Sequence, residues 1–335
     1  MSTRLVQLKN NTGRAVALVD EPNLIIINNF SSVYEIALKA IESGIGLTSL
    51  VTQNLSTEKI NYDEVYNGKS DNWQLLPAFD HPENPMNCIV SGTGLTHKSS
   101  AMSRQAMHQD GDVKPTDSLI VYQWGVEGGN PGPGKIGVQA EWFYKGTGYT
   151  LKAHGEPLEV PSFGDDGGEE PEIAALYITD KTGKPHRVGF TTGNEFSDHV
   201  MEKKNYLYLA PSKLRQCSIG PELVIDADFV ALEGIVSVSR GDETLWESVA
   251  TTGESNMAHS LANLEYHHFK YEGHRMPHQV HVHYLGTNAF SYSIKLLLQH
   301  NDVMTVQWNG MGRALKNPIK ISGDAETLVD IKPIA

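Results

Sequence analysis

Glu169-Glu170-Pro171-Glu172-Ile173-Ala174-Ala175-Leu176-Tyr177-Ile178 runs an acidic cluster directly into an unbroken apolar segment. Residues 173–178 have the length and composition of a buried strand. In a strand, positions i and i+2 point to the same face, so Glu170 and Glu172 project together at its mouth. Two carboxylates that close repel unless something positive lies between them. Oxygen ligands of this kind suit Mg²⁺, with Mn²⁺ or Ca²⁺ as alternatives, rather than Zn²⁺. Taken alone, such a pair is weak evidence, because most such pairs are solvated surface.

Working outward from this segment, strand composition recurs at residues 119–124, 138–144, 223–225, 230–238, 280–284 and 304–308. Arg240-Gly241-Asp242 supplies a tight turn, and Gly/Pro-rich loops fall at 127–134 and 164–168. One helix is expected over 256–268, with Ser255 as its cap and Met257, Leu261 and Leu264 on one face. Many strands with few helices indicate a β-rich roll, barrel or sandwich. Upstream, residues 15–19 and 24–27 read as strands, and residues 31–44 form the clearest helix. Ser32 and Glu35 make a capping box there, Val33, Ile36, Ala37, Ala40 and Ile41 share a face, and Gly44 ends it. Residues 79–86, flanked and interrupted by Pro77, Pro82 and Pro85, read as a linker. The expectation is an α+β protein: a small N-terminal α/β lobe at 1–85 and a β-rich mixed roll or barrel at 86–335.

The chain of 335 residues is 39% hydrophobic and 20% charged, with a formal net charge of −13. That is a globular profile. The charge argues against nucleic acid and anionic membrane surfaces as partners. No apolar run reaches the ~20 residues needed to cross a bilayer, and residues 1–11 lack the apolar core of a signal peptide. Cys88 and Cys217 give no disulfide framework and suit a reducing compartment, so the expected location is the cytoplasm.

Gly193-Asn194-Glu195-Phe196-Ser197-Asp198-His199 follows an apolar stretch and reads either as a ligand site or as a turn in which Ser197 caps a short helix. His281-Val282-His283 places two imidazoles on one strand face, but no acid follows as a cupin metal site requires. Gly92-Thr93-Gly94-Leu95-Thr96-His97 is glycine-rich yet lacks the terminal Gly-Lys-Ser/Thr of a phosphate loop. No G-x-S-x-G elbow is present.

The order of these pieces carries more than any one of them. Gly94-Leu95-Thr96-His97, Phe143-Tyr144-Lys145, Glu170-Pro171-Glu172 and Asn194-Glu195-Phe196-Ser197 are followed by Ile219-Gly220-Pro221 and Leu285-Gly286-Thr287. Asn301-Asp302-Val303, Gly310-Met311-Gly312 and Asn317-Pro318 complete the series. In this order the chain, from residue 86 onward, resembles the fumarylacetoacetate hydrolase superfamily, and its wording is similar to a bacterial sugar-acid branch acting on 2-keto-3-deoxypentonates. The resemblance implies a homodimeric β-roll enzyme that takes a small 2-oxo acid. It implies Glu170, Glu172 and Glu195 as ligands to Mg²⁺, with Glu195 standing where the family normally has Asp. It further implies His97 and Lys145 as catalytic groups, with Thr287, Lys213, Asn194 and Ser197 contacting substrate. The activity implied is dehydration of a 2-keto-3-deoxypentonate to 2-oxoglutarate semialdehyde. Hydrolytic cleavage of 2,4-diketo acids, aldol cleavage and a non-catalytic sugar-acid binder are the alternatives on the same scaffold.

Overall fold

A computed structural model describes residues 2–108 and 115–334. Strand Pro171–Thr179 is buried along its whole length, and the reason lies in its alternation. Ile173, Ala175 and Tyr177 pack with Val236, Val306, Trp308, Leu261 and Leu264 on one face. Ala174, Leu176 and Ile178 pack with Val33, Ile36, Ala37 and Tyr284 on the other. Both faces are dry, so the strand reads as a continuous apolar run rather than an alternating one. Fully burying a side chain such as Leu176 is worth about 1.5–3 kcal/mol.

Among the described residues this strand sits inside a mixed sheet of twelve strands. It pairs antiparallel with Pro185–Asn194 on one side and Val280–Tyr284 on the other. Val280–Tyr284 runs parallel to Cys88–Gly94, which pairs with Glu141–Thr147. On the far side, Pro185–Asn194 leads through Cys217–Val224 to Arg4–Lys9, so strands from the first 85 residues extend the same sheet. Glu222 fastens that junction. Its carboxylate accepts from Arg4 Nη1 and Tyr62 Oη, both at 2.9 Å, and from the Arg313 amide at 3.0 Å. Gly312, at φ +84°, lies so close that a Cβ there would stand 2.3 Å from the carboxylate. A second sheet of five strands, from Glu243–Thr252 through Leu232–Arg240, Val303–Trp308 and Leu315–Ile321 to Leu158–Val160, covers the opposite face. Strand-rich mixed architecture with few helices is the α+β class expected.

Helix Val33–Ser43 carries the expected cap, with Ser32 accepting from the Glu35 amide at 3.2 Å and Gly44 closing it at φ 69°. Glu35 reaches back one residue further than a simple box, to the Ser31 amide and hydroxyl. The turn at Gly241 joins its two strands as read. Two expectations fail. Residues 119–124 belong to helix Asp117–Gly128, because Thr116 caps the segment by accepting from the Leu119 amide. Local capping overrides the β-rich composition there. The downstream helix is Leu261–Phe269, shorter than expected and capped by Ser260 rather than Ser255. Ser255 lies in a separate single turn, and Met257 is extended. No described helix is long and apolar enough to cross a membrane.

Candidate active site

Glu170 and Glu172 stand at the mouth of strand Pro171–Thr179, and the register of its neighbour supplies the third acid. Glu172 pairs with Gly193 and Pro171 with Asn194. The Glu195 amide then donates to the Glu170 carbonyl at 2.9 Å. One carboxylate oxygen from each of Glu170, Glu172 and Glu195 lies within 4.8 Å of the other two. The longer side chain at position 195 therefore still reaches the common point. Phe196 turns the chain sharply at φ 24°, and Asn194 Oδ1 holds that turn by accepting from the Phe196 and Glu170 amides, each at 3.2 Å. The cap on the following helix is Asp198, whose carboxylate accepts from the Met201 amide. Ser197 is committed instead to the site, its hydroxyl donating to Glu195 at 3.1 Å.

Two buried lysines complete the cluster. Lys213, the last residue of helix Leu209–Lys213, places Nζ 2.7 Å from Glu170, 2.6 Å from Glu195 and 2.8 Å from Ser197 Oγ. Lys145 Nζ lies 2.6 Å from Glu195 Oε1 and donates to the Glu195 and Phe196 carbonyls. Glu202 joins Lys213 to Arg104, which also pairs with Glu141. Five carboxylates in this network face three fixed cations and His199, whose pKa burial would lower but Glu170 raises above its ordinary value, so negative charge stays in excess.

The acids feel that imbalance. Burial, reinforced by the charge on Glu170, pushes Glu195 up to about 7. Burial and the charges of Glu195 and Glu170 push Glu172 well above the usual carboxylate range. Burial would raise Glu170 too, but Lys213 and then His199, which donates to it at 3.1 Å, hold it well below. Glu172 accepts from the Gly286 amide at 2.6 Å and makes no ion pair among the described residues, so its lone pairs are the ones a metal would take. All-carboxylate donors fit Mg²⁺.

No protein-family model matches the chain. A probable 2-keto-3-deoxyxylonate dehydratase of Haloferax volcanii is 31% identical over 119 residues, 34% of this chain and 39% of that protein. The chain thus matches well under half the length of this curated relative. A solved structure of 2-keto-3-deoxy-D-arabinonate dehydratase complexed with magnesium and 2,5-dioxopentanoate superposes with a TM-score of 0.69 at 18% identity, covering 95% of this chain and 99% of that one. Fumarylacetoacetate hydrolase from Exiguobacterium antarcticum superposes at 0.61 and 14%, covering 96% and 100%. This chain has the fumarylacetoacetate hydrolase fold.

Within the fumarylacetoacetate hydrolase fold, the remaining expected residues separate. His97 is buried, and among the described residues its Nε2 has no hydrogen-bond partner. Burial pushes the imidazole down to about 4, so it is neutral at pH 7. It lines a cavity of about 430 Å³ with Ser99, Met102, Thr251, Asn256 and Asn288. Thr287 lies beside that cavity's Asn288, but its hydroxyl bonds within its own loop to Ala289. Asn194 serves the backbone turn, as described. The histidine pair 281 and 283 is remote from the acids in its bonding: His283 bonds Ser91 and Thr93, and His281 bonds His268. Several contributors went unread in the sequence. Glu169 accepts from the Ser291 amide and hydroxyl, tying down the loop after Gly286. His199, stacked between Phe290 and Tyr292, orients Glu170. Both lie inside quoted motifs, but nothing in their spacing marks them. Arg104, Glu141 and Glu202 carry no local signal at all.

Proposed function

We propose that the protein is a Mg²⁺-dependent dehydratase of a 2-keto-3-deoxypentonate, forming 2-oxoglutarate semialdehyde. The observation that carries this reading is the meeting of Glu170, Glu172 and Glu195 at one point, with the neutral buried His97 linked to Glu172 through Thr96, Leu285 and the Gly286 amide. Glu170, Glu172 and Glu195 would hold the cation, which supplies Lewis-acid polarisation of the 2-oxo group and so acidifies C3–H. His97 Nε2 takes the proton from C3. The bond from C4 to its hydroxyl breaks, and that oxygen leaves as water with a proton returned by His97. A proton then moves from C5 to C3 to give the C4=C5 enol, whose hydroxyl proton passes to C4 to give the aldehyde, so the sum is loss of one water. A positioned base of this kind contributes ~10²–10⁴-fold. Lys213 holds Glu170 and Glu195 in place, and Lys145 holds Glu195. In the cavity that His97 lines, Lys98 and the hydroxyl and amide groups of Ser99, Thr251, Asn256 and Asn288 would give the C4–C5 end of a sugar acid its polar partners. The reading includes a cytoplasmic homodimer. The outward cross-strand pair Ile235 and Val249, both half exposed, offers a second copy an apolar surface.

The test is a coupled assay. Each configuration of 2-keto-3-deoxypentonate is supplied with Mg²⁺ or with EDTA, and a semialdehyde dehydrogenase reports product. Turnover that EDTA abolishes is expected. Release of pyruvate without semialdehyde would replace dehydration by carbon–carbon cleavage, and inertness toward every configuration would return the site to a binder.

A further inference from the structure

His97 can act as a base at Nε2 only if its own proton sits on Nδ1, and the structure shows what puts it there. The Thr96 hydroxyl lies 2.9 Å from His97 Nδ1 and 3.0 Å from the Leu285 carbonyl. A carbonyl can only accept, and a hydroxyl has one proton. With that proton given to Leu285, the Thr96 oxygen is left as an acceptor, and Nδ1–H donates to it. Both contacts are satisfied in this arrangement alone. The lone pair then falls on Nε2, the nitrogen that has no hydrogen-bond partner among the described residues.

Gly286 makes the arrangement possible. It adopts φ +96°, and a Cβ there would lie 2.0 Å from Thr96 Oγ1. Any side chain at 286 would expel the hydroxyl from its place. The same residue's amide donates to Glu172. One glycine thus touches the group that orients the base and a carboxylate of the acidic cluster, fixing their separation through the backbone.

We propose that Thr96 is a positioning residue that sets the tautomer of His97, proton on Nδ1 and lone pair on Nε2, in the space that Gly286 leaves open. This rests on the reading of His97 as the base, and it explains how a histidine with no carboxylate partner among the described residues is held in one state. The Thr96→Val variant keeps the shape and loses the hydroxyl, while Thr96→Ser keeps the hydroxyl.

The experiment has two arms on the full-length protein. In the first, imidazole nitrogen and proton NMR, with His97→Gln to assign the signal, reads the tautomer without substrate. Wild type and Thr96→Ser are expected to show Nδ1 protonated, and Thr96→Val to shift toward the other tautomer. In the second, Thr96→Val is expected to lower kcat by ~10–100-fold, with KM and Mg²⁺ affinity nearly unchanged, and Thr96→Ser to restore most of it. A wild-type signal protonated at Nε2 overturns the proposal, as does a Thr96→Val enzyme with native kcat. If wild type turns over no sugar acid, the functional reading fails while the NMR arm still decides the tautomer. If Thr96→Val does not fold, wild type and Thr96→Ser still decide it.

Discussion

Two pairs spaced i, i+2 lie on neighbouring strands of one sheet and have opposite fates. His283 stands beside Ala175 and His281 beside Tyr177. Directly paired residues share a face, so both imidazoles lie on the face that helix Leu261–Phe269 covers. Glu170 and Glu172 alternate onto the other face, with Ala174 and Leu176. The histidines sit in mid-strand, where hydroxyls of Ser91 and Thr93, His268 and the ring of His274 surround them. His283 bonds both hydroxyls, and His281 bonds His268. The glutamates sit at a strand end, where a third acid arrives from the next strand and lysines approach from outside. Spacing creates a pair; what the adjacent strands bring decides whether it is a ligand set or a neutral packing unit.

The largest effect separating the two regions is expected at Glu172. Glu172→Gln should lose calorimetric Mg²⁺ binding and at least ~10³-fold in turnover, about 4 kcal/mol of barrier, with the far-ultraviolet spectrum unchanged. Undiminished Mg²⁺ binding would move the ion away from these acids. Next comes Lys213→Met, which removes the buried counter-charge that Glu170, Glu195 and Glu202 share. Breaking a buried pair costs ~3–5 kcal/mol, so denaturant unfolding without divalent cation should shift by that order, and Mg²⁺ should recover part of it. A midpoint that does not move would remove the lysine from the charge balance.

The smallest effect belongs to the histidine side, and it depends on pH. Burial pushes His281 and His283 down to about 3, from an ordinary value near 6.5. The unfolded chain therefore binds more protons between those limits. Stability is fully present above pH ~6.5 and is lost as pH falls toward 3, by up to ~1.4 kcal/mol per pH unit for each histidine. His283→Gln should cost ~1–3 kcal/mol at pH 7, flatten the slope between pH 6.5 and 4.5, and leave Mg²⁺ affinity at pH 7 intact. A change in metal affinity there would mean the two faces are coupled.

These contrasts also mark what could be read beforehand. The helix at Val33–Ser43 was legible because Ser32, Glu35 and Gly44 encode both its ends locally. The three acids were legible because their order along the chain carries a family pattern. Residues 119–124 misled because Thr116, outside the apolar run, decides their conformation. The histidine pair's neutrality was legible only as a missing acid, since Ser91 and Thr93 lie far away in sequence. Lys213 and Lys145 could be named but not placed, because which oxygens they touch depends on how strands and a short helix meet.

The order of strands has a further consequence, for synthesis. His283 pairs with Ser91 across 192 residues, and Arg4 reaches Glu222 across 218. The strand carrying His281 and His283 lies between an early strand and the one that opens on Glu170. A ribosome must therefore release nearly the whole sequence before the middle of the sheet can close. Such long-range pairing folds slowly, and until the last partners emerge, early strands present open edges to chaperones and to other nascent chains.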